Sequence, residues 1–307
     1  MLLVVSPNLC LDRIVVVPNL TLGRVHRAES VTELASGKGL NVARAARALG
    51  LAVTVVGIVG DGHGASAITD GARRHGVELD AVRVAGPVRV CTLIVDPGHH
   101  ETVINEPGIA VGPHVVATLL ARVEAARRDA EVMVLAGSLP PGMPATFYAQ
   151  IIRRAGSVPV ILDAAGDPLR LGIAARPFLV KANRLELSES AGQTLATAEE
   201  VVQAGREIER SAGARVLITL GAVGAVLVTA EGSWLLTPPE VERVSSIGAG
   251  DSLTAGLVAG MVRGLPLPDA VRLGVAAAAA DVTTLLPGTI DADLVQRLTP
   301  QVRVENA

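Results

Sequence analysis

The chain has 307 residues, half of them hydrophobic, and its 27 basic and 30 acidic side chains give a formal net charge of −3 at pH 7. The apolar content excludes intrinsic disorder. The balanced charge and the scarcity of aromatic residues (one Trp, one Tyr and two Phe) favour neither a nucleic-acid-binding nor a membrane-binding surface. We therefore expect a globular protein with an aliphatic core, no nucleic-acid partner and no membrane partner.

Two cysteines, Cys10 and Cys91, are too few for a disulfide framework and too far apart in sequence for a zinc motif. We interpret them as two ordinary, half-buried thiols. Asp12 and Arg13 interrupt the first apolar run, which argues against a signal peptide. The longest charge-free stretch, residues 132–152, contains prolines that rule out a continuous membrane helix. A reducing, cytoplasmic setting is expected.

Short β-branched runs alternate with helical patterns rich in alanine, arginine and leucine. This alternation is typical of an α/β fold with a mostly parallel sheet that is covered by helices on both faces. The predicted strands are residues 2–6, 53–59, 132–136, 159–163, 178–181, 216–220 and 225–229. The predicted helices are residues 40–49, 64–75, 113–128, 144–155, 198–211, 252–263 and 267–285.

Two segments interrupt this alternation. The first contains β-rich runs at residues 14–17 and 25–34. The second has the pattern of a hairpin, because runs at 88–95 and 102–104 flank Asp96-Pro97-Gly98-His99, which suits a type II turn. We predict that both segments form a small separate sheet, which over the strand ends would act as a lid that excludes water. A pair of decorative edge strands is the alternative.

The sequence His99-His100-Glu101 suggests a metal site only at first sight. Adjacent residues of a β-arm point to opposite faces, so these side chains would not converge on one ion. We interpret both histidines as exposed turn residues.

The strongest motif is Ser246-Ile247-Gly248-Ala249-Gly250-Asp251-Ser252. The helix after it is predicted to be amphipathic, because Leu253, Leu257 and Met261 share a face. Glycines at a helix start leave unpaired N–H groups at the positive end of the helix dipole, which binds phosphate well. Asp251 is either a first-turn carboxylate that stabilises the helix or a base that deprotonates an attacking hydroxyl.

A second glycine-rich turn, Ser36-Gly37-Lys38-Gly39-Leu40-Asn41, opens the predicted helix at residues 40–49. It lacks the first glycine and the Ser or Thr of the nucleoside-triphosphate P-loop. One lysine and one asparagine in such a turn suit a sugar phosphate and its hydroxyls. A tight strand-to-helix turn with a solvated lysine is the alternative.

Three further turns, at residues 137–142, 181–186 and 221–224, follow predicted strands, where α/β sheets bind their ligands. The first offers a hydroxyl and free amides. The second offers polar groups, or is only an ordinary helix start. The third lets a nucleotide approach the backbone, or is only a β-turn.

Taken together and in this order, the motifs resemble those of the ribokinase-like carbohydrate kinases, in the phosphofructokinase-B branch that phosphorylates sugar phosphates. The resemblance extends over almost the whole chain, through residues 6–12, 37–44, 105–108, 137–142, 181–186 and 248–252. It implies a ribokinase-like three-layer α/β/α sandwich with a β-sheet lid. The lid would comprise residues 12–35 and 88–106, and the nucleotide- and substrate-binding domain would comprise residues 1–11, 36–87 and 107–307.

The resemblance also implies roles for individual residues. Asp251 would be the catalytic base, and the amides of Gly248, Ala249 and Gly250 would form an anion hole. Asp12 and Asn41 would hold sugar hydroxyls, and the existing phosphate would be bound by Lys38, Arg89 and Ser138 beside Gly37. ATP would lie against Lys181, Asn183, Thr219, Gly221, Gly224 and Gly250. Asn183 and Glu186 would organise Mg²⁺ through water.

The implied reaction is in-line transfer of the γ-phosphoryl group of ATP to a primary hydroxyl of a ketohexose monophosphate. Fructose 1-phosphate is the expected acceptor, with tagatose 6-phosphate and fructose 6-phosphate as alternatives. A non-catalytic sugar-phosphate sensor is the alternative from another class. In relatives the lid also supplies a dimer contact, so a homodimer through the lid is expected here.

Three positions depart from the family pattern. Ser36 replaces a glycine, Ala182 replaces a proline, and Ile247 stands where Thr or Val is usual. None of these changes removes a charged or catalytic group, so they bear on substrate fine-tuning rather than on activity.

Overall fold

The computed structural model describes residues 1–96 and 100–307. Its strands are β1 (Leu2–Ser6), β2 (Cys10–Val16), β3 (Ser30–Ser36), β4 (Val53–Gly60), β5 (Glu78–Val84), β6 (Arg89–Val95), β7 (Glu101–Asn105), β8 (Val132–Ala136), β9 (Val160–Asp163), β10 (Leu179–Asn183), β11 (Arg215–Thr219), β12 (Ala225–Thr229), β13 (Gly232–Thr237) and β14 (Arg303–Asn306). Its α-helices are α1 (Lys38–Ala48), α2 (Ala65–Arg74), α3 (Pro113–Ala126), α4 (Phe147–Arg154), α5 (Gly166–Ile173), α6 (Arg184–Ala191), α7 (Ala198–Ala212), α8 (Ala249–Val262), α9 (Leu267–Asp281) and α10 (Ala292–Leu298).

Ten strands form the central sheet, in the order β14-β13-β12-β11-β10-β9-β8-β1-β4-β5. The strands from β11 to β5 run parallel, and β12, β13 and β14 follow as antiparallel neighbours. Successive residues of β1 face opposite sides: Leu2 and Val4 pack with α1 and α8, whereas Leu3 and Val5 pack with α3 and α4. The predicted three-layer α/β/α sandwich is confirmed.

Every predicted strand and helix of the central sheet and its two helical layers is present, with boundaries shifted by a few residues. The helix predicted over 267–285 ends at Asp281. Beyond it, the Thr283 and Thr284 hydroxyls donate to the carbonyls of Ala280 and Asp281, in competition with the helical backbone. Strands β5, β13 and β14 and helices α5, α6 and α10 were not predicted as elements.

The prediction that the helix at 252–263 is amphipathic is wrong. Helix α8 is buried on all sides from Asp251 to Gly260. A Cβ atom at Gly256 would lie 2.7 Å from Gly274 Cα of α9, so glycines allow the two helices to approach closely. The helix is therefore enclosed by its neighbours, and it places its N-terminus inside the molecule.

The remaining four strands form the small sheet, in the order β3-β2-β6-β7. Strands β2 and β6 pair in parallel, whereas β3 pairs with β2 and β7 with β6 antiparallel. The prediction that both interrupting segments build one sheet is confirmed, and the edge-strand alternative is wrong. The predicted run at 25–34 becomes a strand only from Ser30, because Ser30 pairs with Val16, the last residue of β2.

The predicted type II turn includes Pro97, Gly98 and His99, which lie outside the described residues. His100 is exposed, as predicted. The small sheet takes in Cys10, Leu11 and Ser36, which the predicted division assigns to the larger domain. That division stays a prediction. No helix within the described part of the chain has the length and apolarity needed to cross a membrane.

Candidate active site

A cavity of about 1530 Å³ lies at the carboxyl ends of the parallel strands. Ser6, Asn183 and Thr219, the last residues of β1, β10 and β11, line it, and so does Gly137, which directly follows β8. The small sheet supplies the opposite wall. In open α/β sheets, ligands bind at the carboxyl ends of the strands, at the point where the strand order reverses.

The structure brings all the predicted site residues to this one cavity. They are Asp12, Gly37, Lys38, Asn41, Arg89, Ser138, Lys181, Asn183, Glu186, Thr219, Gly221, Gly224, Gly248, Ala249, Gly250 and Asp251. They come from seven separate stretches of sequence, so only the tertiary fold assembles them. Their individual roles stay predictions.

Helix α8 begins inside the cavity. Gly248 precedes its first turn with φ +94°, a left-handed conformation that favours glycine, and no side chain in the described part of the chain caps the helix. The Ala249 amide makes a long hydrogen bond, 3.4 Å, to the Ser246 carbonyl. A Cβ atom at Gly250 would lie 3.0 Å from Lys181 Nζ. The helix therefore presents weakly paired amides and a lysine to the cavity, which suits an anion.

Asp251 lies in the first turn of α8 and is 7% exposed. Its Oδ2 accepts a hydrogen bond of 2.9 Å from Asn41 Nδ2. Burial raises the pKa of Asp251 to about 6, although Lys38 opposes the shift. A carboxylate with this pKa is a stronger base than an exposed aspartate.

Asp163, which was not predicted as a site residue, joins the two lysines. Lys38 Nζ donates to its Oδ1 at 2.7 Å and Lys181 Nζ to its Oδ2 at 2.8 Å. Burial alone would raise the pKa of Asp163, but Lys181 and Lys38 outweigh it and lower that pKa. Burial likewise opposes the charge of Lys38, but Asp163 and Glu186 raise its pKa above the usual value. These contacts therefore favour the charged forms of Asp163 and Lys38.

Ser36, at the first of the three departures from the family pattern, is fully buried. Its hydroxyl lies within hydrogen-bond distance of Asp12 Oδ2 and, at 2.9 Å, of Asn41 Oδ1. A glycine here could not make this bridge. Ser36 therefore positions two predicted sugar-binding side chains.

Arg89 is fixed by main-chain carbonyls. It donates to the Asn8 carbonyl through Nη2 at 2.8 Å and to the Glu106 carbonyl through Nη1 at 2.9 Å. Asn8 Nδ2 in turn donates to Ser138 Oγ at 3.0 Å. Arg89 and Ser138 are thus connected through Asn8 at one end of the cavity.

Asn183 and Glu186 form a capping box at the start of α6. The Glu186 amide donates to Asn183 Oδ1, and the Asn183 amide donates to Glu186 Oε2, both at 2.8 Å. The remaining oxygen, Glu186 Oε1, lies 3.4 Å from Lys38 Nζ. The ordinary helix start is therefore present, and both residues line the cavity as well.

Glu101, interpreted only as a neighbour of turn histidines, connects the small sheet to the α8 turn. Its Oε1 accepts from the Ser246 amide at 2.7 Å, and its Oε2 accepts from the Ser246 hydroxyl and from Arg243. Hydrogen bonds from Ser246 lower the pKa of Glu101 despite its partial burial. This contact holds β7 against the segment that precedes Gly248.

The interpretation of the cysteines as two ordinary, half-buried thiols is wrong, because both are buried. Cys10 and Cys91 are 2% and 3% exposed, and their sulfur atoms lie close together beside Asp12. The interaction between the two thiols raises the pKa of Cys10 and lowers that of Cys91. Their separation along the chain concealed this contact, because parallel pairing of β2 with β6 creates it.

Comparisons with known proteins agree with this geometry. A family model described as pfkB family carbohydrate kinase matches residues 2–292. The chain is 37% identical over 279 residues to a 1-phosphofructokinase of Rhodobacter capsulatus, with 89% of this chain and 87% of the relative covered. It is 32% identical to a 1-phosphofructokinase of Bacillus subtilis, with 99% of each covered. The structure of phosphofructokinase-2 from Escherichia coli in complex with fructose-6-phosphate superposes with a TM-score of 0.86, at 27% identity and 98% coverage of each chain.

Proposed function

Since this chain belongs to the pfkB family of carbohydrate kinases, we propose that it transfers the γ-phosphoryl group of ATP to fructose 1-phosphate, giving fructose 1,6-bisphosphate and ADP. The main support for phosphoryl transfer is Asp251, a buried carboxylate with a raised pKa at the N-terminus of α8. The choice of acceptor is supported by the curated 1-phosphofructokinases, which match nearly the whole chain.

Asp251 acts as the general base in this proposal. Because Asn41 holds Oδ2, Oδ1 is left to accept the proton of the attacking primary hydroxyl. With a pKa of about 6, the carboxylate is mostly ionised at pH 7 and is more basic than usual. The sugar oxygen that loses its proton to Asp251 is therefore the same oxygen that attacks the phosphoryl group.

Gly248, Ala249 and Gly250 supply amides that point at the group in transfer, and Lys181 adds positive charge beside Gly250. Negative charge spreads over the equatorial oxygens of the phosphoryl group during transfer, so fixed donors at this position lower the barrier. Thr219, Gly221 and Gly224 line the adjoining wall, where we place ATP. Together with Lys181, Asn183 and Gly250 they form the proposed nucleotide site.

The acceptor occupies the other end of the cavity in this proposal. Lys38, Arg89 and Ser138 bind its phosphate next to Gly37, and Asp12 and Asn41 bind its hydroxyls. Ser36 holds Asp12 and Asn41 in position. The primary hydroxyl then faces Asp251, because Asn41 contacts both the sugar and the base.

Mg²⁺ is expected from the family, and the residues present fit a hydrated ion. Mg²⁺ prefers oxygen ligands and usually keeps several waters. The capping box occupies Asn183 Oδ1 and Glu186 Oε2, and Lys38 shares Glu186 Oε1. These two side chains would therefore hold the ion through water. When bound, it offsets the negative charge of the phosphates.

The small sheet serves as the lid, comprising residues 12–35 and 88–106, that keeps water from replacing the sugar as acceptor. We also assign it a homodimer contact. Val31 and Ile104 are 50% and 57% exposed, and strand register places both on the face that points away from the cavity. A reducing cytoplasmic setting stays a prediction.

The test is a coupled assay of ADP formation with fructose 1-phosphate, fructose 6-phosphate and tagatose 6-phosphate. We expect the highest kcat/KM with fructose 1-phosphate. Fructose 6-phosphate is the second candidate, because the superposed Escherichia coli structure is described in complex with it. A higher kcat/KM with either alternative would overturn the acceptor. Binding of a sugar phosphate without ADP release from any of the three would favour the sensor.

A further inference from the structure

Cys10, Asp12 and Cys91 form a cluster on one face of the small sheet. Cys10 and Asp12 are two residues apart on β2, so their side chains point to the same face. Cys91 of β6 pairs directly with Asp12 and shares that face. The ligand atoms of the three side chains all lie within 4.8 Å of one another.

The surroundings of this cluster are apolar on one side and open on the other. Cys10 and Cys91 pack with Ile14, Leu93 and Val95 in a small apolar core, which holds the thiols in place. All three cluster residues also line the cavity. The cluster is thus fixed by packing yet reachable by a small ion that enters the cavity.

The spacing suits a tetrahedral cation. With Zn–S bonds of about 2.3 Å and Zn–O bonds of about 2.0–2.2 Å, a tetrahedral site separates sulfur from oxygen by about 3.5–3.7 Å and sulfur from sulfur by about 3.8 Å. Cys10 Sγ lies 3.3 Å from Asp12 Oδ1, with its proton directed at that oxygen. Two sulfur ligands and one carboxylate leave a fourth position toward the cavity, as in zinc sites that keep an exchangeable ligand.

We propose that Cys10, Asp12 and Cys91 bind one thiophilic divalent cation, represented by Zn²⁺, and that the bound ion blocks the acceptor end of the cavity. Thiols bind zinc as thiolates, so each sulfur that coordinates releases its proton to solvent. The Cys10–Asp12 hydrogen bond is replaced by bonds from both atoms to the metal. No electron is transferred.

This chemistry differs from that of the proposed Mg²⁺ position. Thiolates select zinc-like ions, whereas Mg²⁺ takes oxygen ligands and retains its waters. The cluster also differs in place, since it lies on the lid wall, whereas Asn183 ends strand β10 of the central sheet and Glu186 follows that strand. Zinc inhibition would therefore persist at saturating Mg²⁺.

The consequence for catalysis rests on the proposed function. Asp12 is the proposed ligand of a sugar hydroxyl, and a cation that takes its carboxylate removes that ligand and occupies the adjoining space. We expect Zn²⁺ to raise the apparent KM for fructose 1-phosphate and to leave the apparent KM for ATP unchanged.

The direct test titrates metal-free protein with Co²⁺, a spectroscopic substitute for zinc, in the presence of a phosphine reductant that keeps the thiols reduced. We expect thiolate charge-transfer and tetrahedral visible bands that saturate at one ion per chain, and their loss on addition of Zn²⁺. Cys10→Ser and Cys91→Ser should each weaken binding by more than about 100-fold, because loss of an outer-shell partner alone costs about 10–100-fold. His114→Ala, which removes an exposed histidine, is the matched control and should leave the bands unchanged.

The outcomes separate the two proposals. Absence of thiolate bands, or bands that survive both serine variants, would overturn the metal site. Zinc inhibition that competes with ATP, or that persists unchanged in Cys91→Ser, would overturn the block of the acceptor end. If the metal-free protein, supplied with Mg²⁺ and ATP, forms no ADP with any of the three acceptors, the proposed function fails. The Co²⁺ titration still decides whether the metal site exists.

Discussion

Replacing Asp251 with asparagine should remove activity and increase stability at the same time. Asparagine keeps the shape of the side chain and can still accept the hydrogen bond from Asn41 Nδ2. It cannot take a proton from the sugar hydroxyl. Loss of a general base typically costs about 10²–10⁴-fold in turnover. We expect kcat to fall within that range, with the affinity for ATP nearly unchanged.

The stability effect follows from the pKa. The usual value of 3.8 rises to about 6 in the folded protein, and about two pKa units correspond to about 3 kcal/mol. Because the folded pKa is raised, folding favours the neutral form. The cost of ionising Asp251 is therefore absent below the unfolded pKa and grows as pH rises through the folded pKa. Above about 6 it is constant, and Asp251→Asn should be more stable by about 3 kcal/mol.

Two measurements check this reasoning. Guanidinium unfolding of both proteins across the acid-to-neutral range should show curves that coincide near the unfolded pKa and separate toward neutral pH. The kcat/KM of the unmodified protein should fall about tenfold per pH unit below about 6. The matched control is Asp281→Asn, since burial also raises the pKa of Asp281, to about 7, but this residue does not line the cavity.

We expect Asp281→Asn to be stabilised at neutral pH and to remain active. An Asp251→Asn protein that retains full turnover would refute the role of the base. A variant that is less stable than the original at neutral pH would refute the assignment of the raised pKa to burial of the carboxylate.

Two further predictions concern the lysine pairing and the lid. Asp163→Asn leaves Lys38 and Lys181 without their shared counterion and should lower the free energy of unfolding by about 3–5 kcal/mol. Guanidinium titrations of Asp163→Asn, Lys38→Met and the double variant test this. If the loss of stability in the double variant equals the sum of the losses in the two single variants, the pairing is contradicted. Ile104→Asp on the outer face of the small sheet should halve the mass measured by light scattering, whereas Leu265→Asp, at an exposed position after α8, should not. An unchanged mass for Ile104→Asp would contradict the lid dimer.

Local sequence patterns predicted the buried strands well. The run Leu2–Ser6 is buried throughout and apolar up to Val5, because helices cover both faces of the sheet. Strand β5 lies at the edge of the sheet and was missed because three charged residues, Glu78, Asp80 and Arg83, interrupt its apolar run. For helix α8, the prediction of an exposed face was wrong. Its glycines were not treated as contact positions, yet they allow the helix to pack closely against α9.

The sequence predicted those parts of the candidate site that lie in contiguous motifs. Gly248 to Ser252 and the turn at Lys38 could be recognised because their glycines and polar residues are contiguous. Asp163 had only one local signal, its position at the end of a predicted strand. The contact between Cys10 and Cys91 had none, since it depends on parallel pairing between strands about eighty residues apart. Pairing of this kind is set by the whole fold.

Two buried aspartates at the candidate site have opposite pKa shifts because their partners differ. Asp163 accepts hydrogen bonds from two lysines, and its pKa is lowered. Asp251 accepts its one described side-chain hydrogen bond from the neutral amide of Asn41, and its pKa is raised. Pairing with Asp163 helps to raise the pKa of Lys38, and Lys38 and Lys181 both line the cavity, where they are available to anionic substrates. The absence of such a pairing keeps Asp251 basic enough to accept a proton, so one arrangement of charges serves both phosphate binding and hydroxyl activation.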